Sequence, residues 1–74
     1  MNEKINDIIL ALSFAEDIRP EYSLKNDLGF DSLRLTELLV ALEDGFDIQF
    51  DESDIDFKYF QTVNDTYILV EKYI

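Results

Sequence analysis

Seventy-four residues, 47% of them hydrophobic, allow one domain with one small core and argue against disorder. Seventeen Asp and Glu against six Lys and Arg give a net charge of −11; from Asp27 to Asp56 there are ten acids and one base, Arg34, a face that repels nucleic acid and anionic membranes and would draw in a basic protein partner. There is no Cys, hence no disulfide or thiolate chemistry, and no His, the commonest general base and metal ligand, so a special serine here is better read as a substrate than as a nucleophile.

The chain opens on Met1-Asn2-Glu3-Lys4 and runs directly into an amphipathic pattern. It lacks the apolar stretch of a signal peptide, and no run is long enough to cross a membrane, so the expected location is the cytoplasm. Ile5, Ile8, Ile9 and Leu12 recur at helical spacing and predict a first helix from Asn2 to about Phe14, with Asn2 as a plausible N-cap.

From Ala15 to Asp31 the period breaks. Pro20 disfavours helix at Arg19, and Gly29 lies near the end of the stretch. A loop this long in so small a domain is often functional. Tyr22, Leu24 and Leu28 are the residues expected to pin it to the core, with a short helical turn around Ser23 to Asp27.

The second helix is predicted from Ser32 to Phe46. Leu35, Leu38, Leu39, Leu42 and Phe46 form its apolar stripe, and Asp31 suits the N-cap in both geometry and charge. Gly45 either weakens the last turn or helps to end the helix. Asp51 to Asp56 is expected to form a short third helix with Ile55 inward, followed by the aromatics Phe57, Tyr59 and Phe60. A last helix is predicted from Val63 to Tyr73, with Thr62 and Asp65 close to a capping box and Val63, Thr66, Tyr67, Val70 and Ile74 on one side. The expected fold is all-α: a small four-helix bundle, one domain over residues 1–74, with a long loop between helices 1 and 2 and a short third helix.

One stretch stands out at the junction of loop and second helix. The run Asp27-Leu28-Gly29-Phe30-Asp31-Ser32-Leu33, continuing through Glu37-Leu38-Leu39-Val40-Ala41-Leu42-Glu43-Asp44 to Phe46-Asp47, resembles the acyl carrier protein family. The resemblance extends to Thr62-Val63, and the order of elements fits nearly the whole chain. It implies a phosphopantetheine arm, transferred from coenzyme A onto Ser32 by a phosphopantetheinyl transferase. The arm's thiol would hold an acyl or aminoacyl group as a thioester. The chain would then be a carrier and no enzyme, presenting cargo to acyl-loading and acyl-processing enzymes of fatty acid, polyketide or related biosynthesis.

Asp31, Leu33, Arg34, Glu37, Val40, Glu43 and Asp44 resemble or adjoin the family's partner-facing positions. They imply docking partners with basic surfaces and a shallow apolar patch, with the carrier itself a monomer. Glu37, Glu43 and Asp44 are spaced so that all three can lie near one helical face. Apart from the resemblance, a serine at a helix start places a later phosphodiester near free N–H groups and the positive end of the dipole. Ser32 also fits a plain capping serine, and the acids also fit a solvated surface or an acidic interaction module with Ser32 unmodified.

Three features depart from the family's common pattern. Arg34 stands where fatty-acid carriers usually have an acid, the stretch Phe57-Lys58-Tyr59-Phe60 is longer and more aromatic, and Gly45 is unusual. They point to a specialised carrier, with the cargo (fatty acyl, polyketide, aminoacyl or D-alanyl) left open. Asp51, Ser53, Asp54 and Asp56 invite a calcium reading. An EF-hand needs Gly at the sixth position, where Asp56 stands, and Glu at the twelfth, where Thr62 stands, so no metal site is expected.

Overall fold

The structure is a computed structural model that describes residues 2–55 and 60–74. Among these, three α-helices and one 3₁₀ turn follow each other: α1 (Asn2–Leu12), α2 (Ser32–Phe46), the 3₁₀ turn Glu52–Asp54, and α3 (Val63–Glu71). The fold is all-helical as expected, but the described residues hold three α-helices where four helices were expected. The acidic segment makes one 3₁₀ turn, too short for an α-helix and with no buried residue of its own. The proposed contributions of Asp56, Phe57, Lys58 and Tyr59 lie outside the described residues.

The helix stripes meet in one core. Ile5 and Ile9 of α1, Leu35, Leu38, Leu39 and Leu42 of α2, and Val63, Tyr67, Leu69 and Val70 of α3 are all buried. Leu24, Leu28, Phe30, Phe50 and Phe60 enter from the connecting segments. Thr66 is also fully buried, its hydroxyl 3.5 Å from the Thr62 carbonyl. Tyr67 carries its hydroxyl to the Asn6 side chain, which gives the α1–α3 contact a polar pin.

Several ends differ from the sequence reading. The first helix stops at Leu12 and leaves Phe14 fully exposed. Asn2 is its first helical residue. The last helix stops at Glu71, and Ile74 is exposed instead of packed. Gly45 does not end α2. It lies inside the helix, where an added Cβ would come 3.0 Å from Ile8 Cδ1, so it lets α1 pack closely. The helix ends at Asp47, whose left-handed backbone (φ 54°) sends its N–H back to the Glu43 carbonyl. The Thr62–Asp65 capping box forms as expected: Thr62 Oγ1 accepts from the Asp65 N–H at 3.1 Å, and Asp65 accepts from the Thr62 N–H at 3.0 Å.

The long loop is fastened to the start of α3. Asn64 N–H donates to the Pro20 carbonyl, Val63 N–H to Tyr22, and Leu24 N–H to Gln61, all within 3.0 Å. Ser23 and Thr62 form a single antiparallel bridge. The loop thus obeys the requirement that backbone polar groups near a core find partners.

Tyr73 clamps the acidic segment. Its hydroxyl accepts the Asp51 N–H at 2.8 Å and donates to the Asp54 carboxylate, and its ring meets Phe50 edge-on at 5.1 Å between centroids. The bond to Asp54 holds the phenol pKa above its ordinary value. Asp51 is held below the carboxylate range by the Ser53 N–H and then the Ser53 hydroxyl. The signs define a window. The Asp51 contribution is present above the unfolded carboxylate pKa, near 4, and is lost as pH falls through its lower folded value. The Tyr73 contribution is present below the unfolded phenol pKa, about 10, and is lost as pH rises through its higher folded value. Tyr73→Phe should lower stability slightly and speed hydrogen exchange at the Asp51 amide, with α1 and α2 amides unchanged. Unchanged exchange at Asp51 would show that the clamp contributes nothing.

Candidate functional site

The site is built by the turn that carries the loop into α2. Gly29 takes a left-handed backbone (φ +71°) with open space where a Cβ would stand, so its role is conformational and not one of clearance. Phe30 then plunges into the core at 2% exposure, its N–H donating to the Leu24 carbonyl at 2.8 Å. Leu35, one turn into the helix, is buried as well. Between these two anchors, residues 31–34 are held on the surface.

Asp31 is the cap of α2. Its backbone is extended (φ −96°, ψ −178°), and Oδ1 accepts the Arg34 N–H at 2.8 Å. Ser32 is therefore the first helical residue and does not cap. Its carbonyl accepts the Thr36 hydroxyl at 3.0 Å, and its own hydroxyl is left to solvent. The capping-serine reading does not describe this geometry. The first N–H groups of a helix have no partner within the helix. Asp31 takes that of Arg34, which leaves those of Ser32 and Leu33 for an anion on the Ser32 oxygen. The residues present thus fit a phosphodiester at this position.

The neighbouring surface of α2 sorts the other expected residues. Leu33 and Val40 are apolar yet 69% and 51% exposed, and Glu37 and Asp44 share their side of the helix. Arg34 Nη1 lies 3.3 Å from Glu37 Oε2, a half-exposed pair that neutralises the surface beside Ser32. Glu43 departs from the expected common face. It turns aside and accepts the Phe50 N–H at 2.8 Å, so its carboxylate fastens the segment after α2. Its spacing from Glu37 put it well round the helix, which the i, i+6 count understated.

Asp51 and Asp54 are engaged with Ser53, Tyr73 and Lys72. Among the described residues no group of three or more carboxylates is placed to hold a metal ion. No described helix is long and apolar enough to cross a membrane. A cavity of about 260 Å³ opens one helical turn beyond Ser32, between the loop turn at Ser23–Asn26, Leu35 of α2, and Phe60–Gln61. The sequence reading did not anticipate it, because it is made by loop-to-helix docking that no local pattern encodes.

Residues 9–70 match the family model described as the phosphopantetheine attachment site. The acyl carrier protein of Nitratidesulfovibrio vulgaris (strain DSM 19637 / Miyazaki F) is 49% identical over 57 residues, covering 73% of this chain and 74% of that protein. The acyl carrier protein of Solidesulfovibrio magneticus is 40% identical over 73 residues, covering 95% and 90%. In three dimensions the chain is similar to a candidate acyl carrier protein from Mycobacterium tuberculosis, with a TM-score of 0.84 at 38% identity over 96% of this chain and 95% of that one. With the turn, the exposed serine and the helix order already in place, these likenesses make the chain a member of the acyl carrier protein family, whose prosthetic group is covalently attached phosphopantetheine.

Proposed function

We propose that Ser32 carries the phosphopantetheine arm and that the chain ferries acyl or aminoacyl intermediates between separate enzymes. The observation that carries this reading is the exposed Ser32 hydroxyl at the start of a helix that Asp31 already caps. In the transfer from coenzyme A, Ser32 Oγ bonds to the phosphorus that bears the arm as the phosphoanhydride bond breaks and 3′,5′-adenosine bisphosphate leaves; the hydroxyl proton goes to a base of the transferase, since this chain has no His to take it. The arm's thiol, when present, supplies the thioester that holds the cargo. The chain's own part is to fix the attachment oxygen, offer the Ser32 and Leu33 N–H groups to the phosphodiester, and present a docking face. A tether of this kind raises the local concentration of cargo at whichever enzyme is docked.

The docking face we assign comprises Leu33, Val40, Glu37 and Asp44, with Asp31 and Arg34 at its rim beside the arm. Glu43 is set apart, because its carboxylate is used within the fold. The Arg34–Glu37 pair leaves Asp44 as the uncompensated acid of this face.

Incubation with coenzyme A and a broad-specificity phosphopantetheinyl transferase should add one arm per chain by intact mass. A chain left unmodified by several such transferases overturns the proposal. Docking is tested separately. Asp44→Lys should lower the association rate of the holo form with a basic partner enzyme, and more so at low salt. Glu43→Gln should act on stability instead, through the Phe50 N–H. A charge reversal at Asp44 that leaves association and its salt dependence unchanged removes that residue from the face.

A further inference from the structure

The charge of Arg34 is out of place in the fold. A helix N-terminus is the positive end of the backbone dipole and favours acids in its first turn, yet the first turn of α2 holds no acid and Arg34 is its third residue. Its ion pair does not account for it. Arg34 Nη1 lies 3.3 Å from Glu37 Oε2, at i, i+3, with both side chains close to half exposed. The base precedes the acid, the weaker order on a helix, and an exposed pair of this kind is loosely held. The backbone does not need the side chain either. Asp31 Oδ1 accepts the Arg34 N–H at 2.8 Å, a donor that any residue but proline would offer. A residue that breaks a local rule without a gain in the fold points to a use outside it.

Modification of Ser32 would supply that use. A phosphodiester on Ser32 Oγ brings a fixed negative charge to the start of α2, where Asp31 already stands as the capping carboxylate. The two anions repel, and the open N–H groups of Ser32 and Leu33 carry only partial charge. From Asp27 to Asp56 the chain has ten acids and one base, so Arg34 is the full positive charge that this stretch can set against them. It is also suited in kind and in place. A guanidinium presents a planar fork of donors that matches phosphate oxygens. Side chains on a helix lean towards its N-terminus, so a long one at the third residue can cover the turn that holds Ser32. In the unmodified chain the guanidinium is drawn the other way, one turn on, to Glu37.

We propose that Arg34 is a positioning residue for the arm, and that modification of Ser32 moves its guanidinium from Glu37 to the phosphodiester. This rests on Ser32 being the attachment point. The step exchanges one ion pair for another around a single guanidinium. It holds the root of the arm against the start of α2. It also releases Glu37 as a free acid beside Leu33 and Val40. The docking face then carries two uncompensated acids, Glu37 and Asp44, in the holo form and one in the apo form. A basic partner meets a more attractive face once the arm is in place, before it touches any cargo.

The experiment uses the full, isotope-labelled chain, unmodified and bearing the free-thiol arm, with intact mass confirming one arm. A wild-type chain that takes no arm, or takes it away from Ser32, overturns the attachment reading and this one with it; the other outcomes bear on Arg34 alone. In the wild type, modification should shift the NMR signals of the Glu37 carboxyl carbon and the Arg34 Nε–H and leave the Asp44 carboxyl in place. In Arg34→Gln the Glu37 signal should sit at its wild-type holo position both before and after modification. The phosphorus signal of the Arg34→Gln holo form should be shifted from that of the wild type. The substitution is on the surface and should barely change the melting temperature; were it to cost the fold, the wild-type comparison still decides. Glu37 and Arg34 signals that modification leaves unmoved overturn the proposal. So does a Glu37 shift of the same size in Arg34→Gln, which would be the field of the new charge alone. A phosphorus signal indifferent to Arg34→Gln overturns it as well.

Discussion

Ser32→Ala is expected to abolish arm addition completely while leaving the melting temperature nearly where it was. The first half follows from chemistry: alanine offers no oxygen, and no other serine stands exposed at the start of an α-helix among the described residues. The second half follows from geometry. The Ser32 hydroxyl contributes no bond to the helix, since Asp31 Oδ1 takes the Arg34 N–H and the Thr36 hydroxyl uses the Ser32 carbonyl, which alanine retains. A surface change of this kind stays within about 0.5 kcal/mol. Asp31→Ala should do the reverse. It removes the cap, costs about 1 kcal/mol and lowers the melting temperature by roughly 4–8 °C. Intact mass and thermal melting of both variants decide the matter. If Ser32→Ala destabilises and Asp31→Ala does not, Ser32 is the cap and the exposed-anchor reading fails.

The second large effect is in the core. Leu38→Ala should cost about 2–5 kcal/mol, because Leu38 is fully buried in the middle of α2 and its loss leaves a cavity the neighbours cannot close. A chain of this size holds on the order of 4–11 kcal/mol in total, at 0.05–0.15 kcal/mol per residue. One methylene-rich side chain is therefore a large share of the fold. Urea denaturation should show the midpoint falling by roughly a fifth or more, with the slope unchanged if the loss is confined to the native state. The exposed Leu33→Ala, five residues earlier on the other face, should leave that midpoint in place. Equal effects at the two positions would mean that α2 is not oriented as described.

The contrast between those two leucines was readable from spacing alone, and so was most of α2. Its ends, its Asp31 cap and the Thr62–Asp65 box follow from local rules in which a few neighbouring residues decide the outcome. What could not be read involves partners far apart in the chain. Phe30 sits in a motif full of exposed residues, and its burial depends on Leu24 arriving behind it. Glu43 looked like one more surface acid until Phe50 brought it a free N–H. Lys25 has Glu21 four residues before it, which would make a pair on a helix, but the chain there is a turn and the two stay apart. Gly45 left two readings open, a weak interior position or a helix end, and it is the packing of Ile8 from α1 against it that goes with the interior one. The turn and the place of Ser32 at the start of α2 were thus legible, while the long-range packing around them was not.

The hydrogen bonds that tie Pro20, Tyr22 and Leu24 to residues 61–64 have a consequence for the chain as it is made. Translation proceeds from the N-terminus, so the ribosome delivers Ser32 well before the residues that hold its loop in place. A nascent chain stalled between the two would display the serine on an unfastened turn, with Leu24 and Phe30 exposed in place of a formed docking face. A transferase that recognises the folded surface would pass over that intermediate. A chain truncated after residue 46 should therefore refuse the arm that the chain through residue 74 accepts.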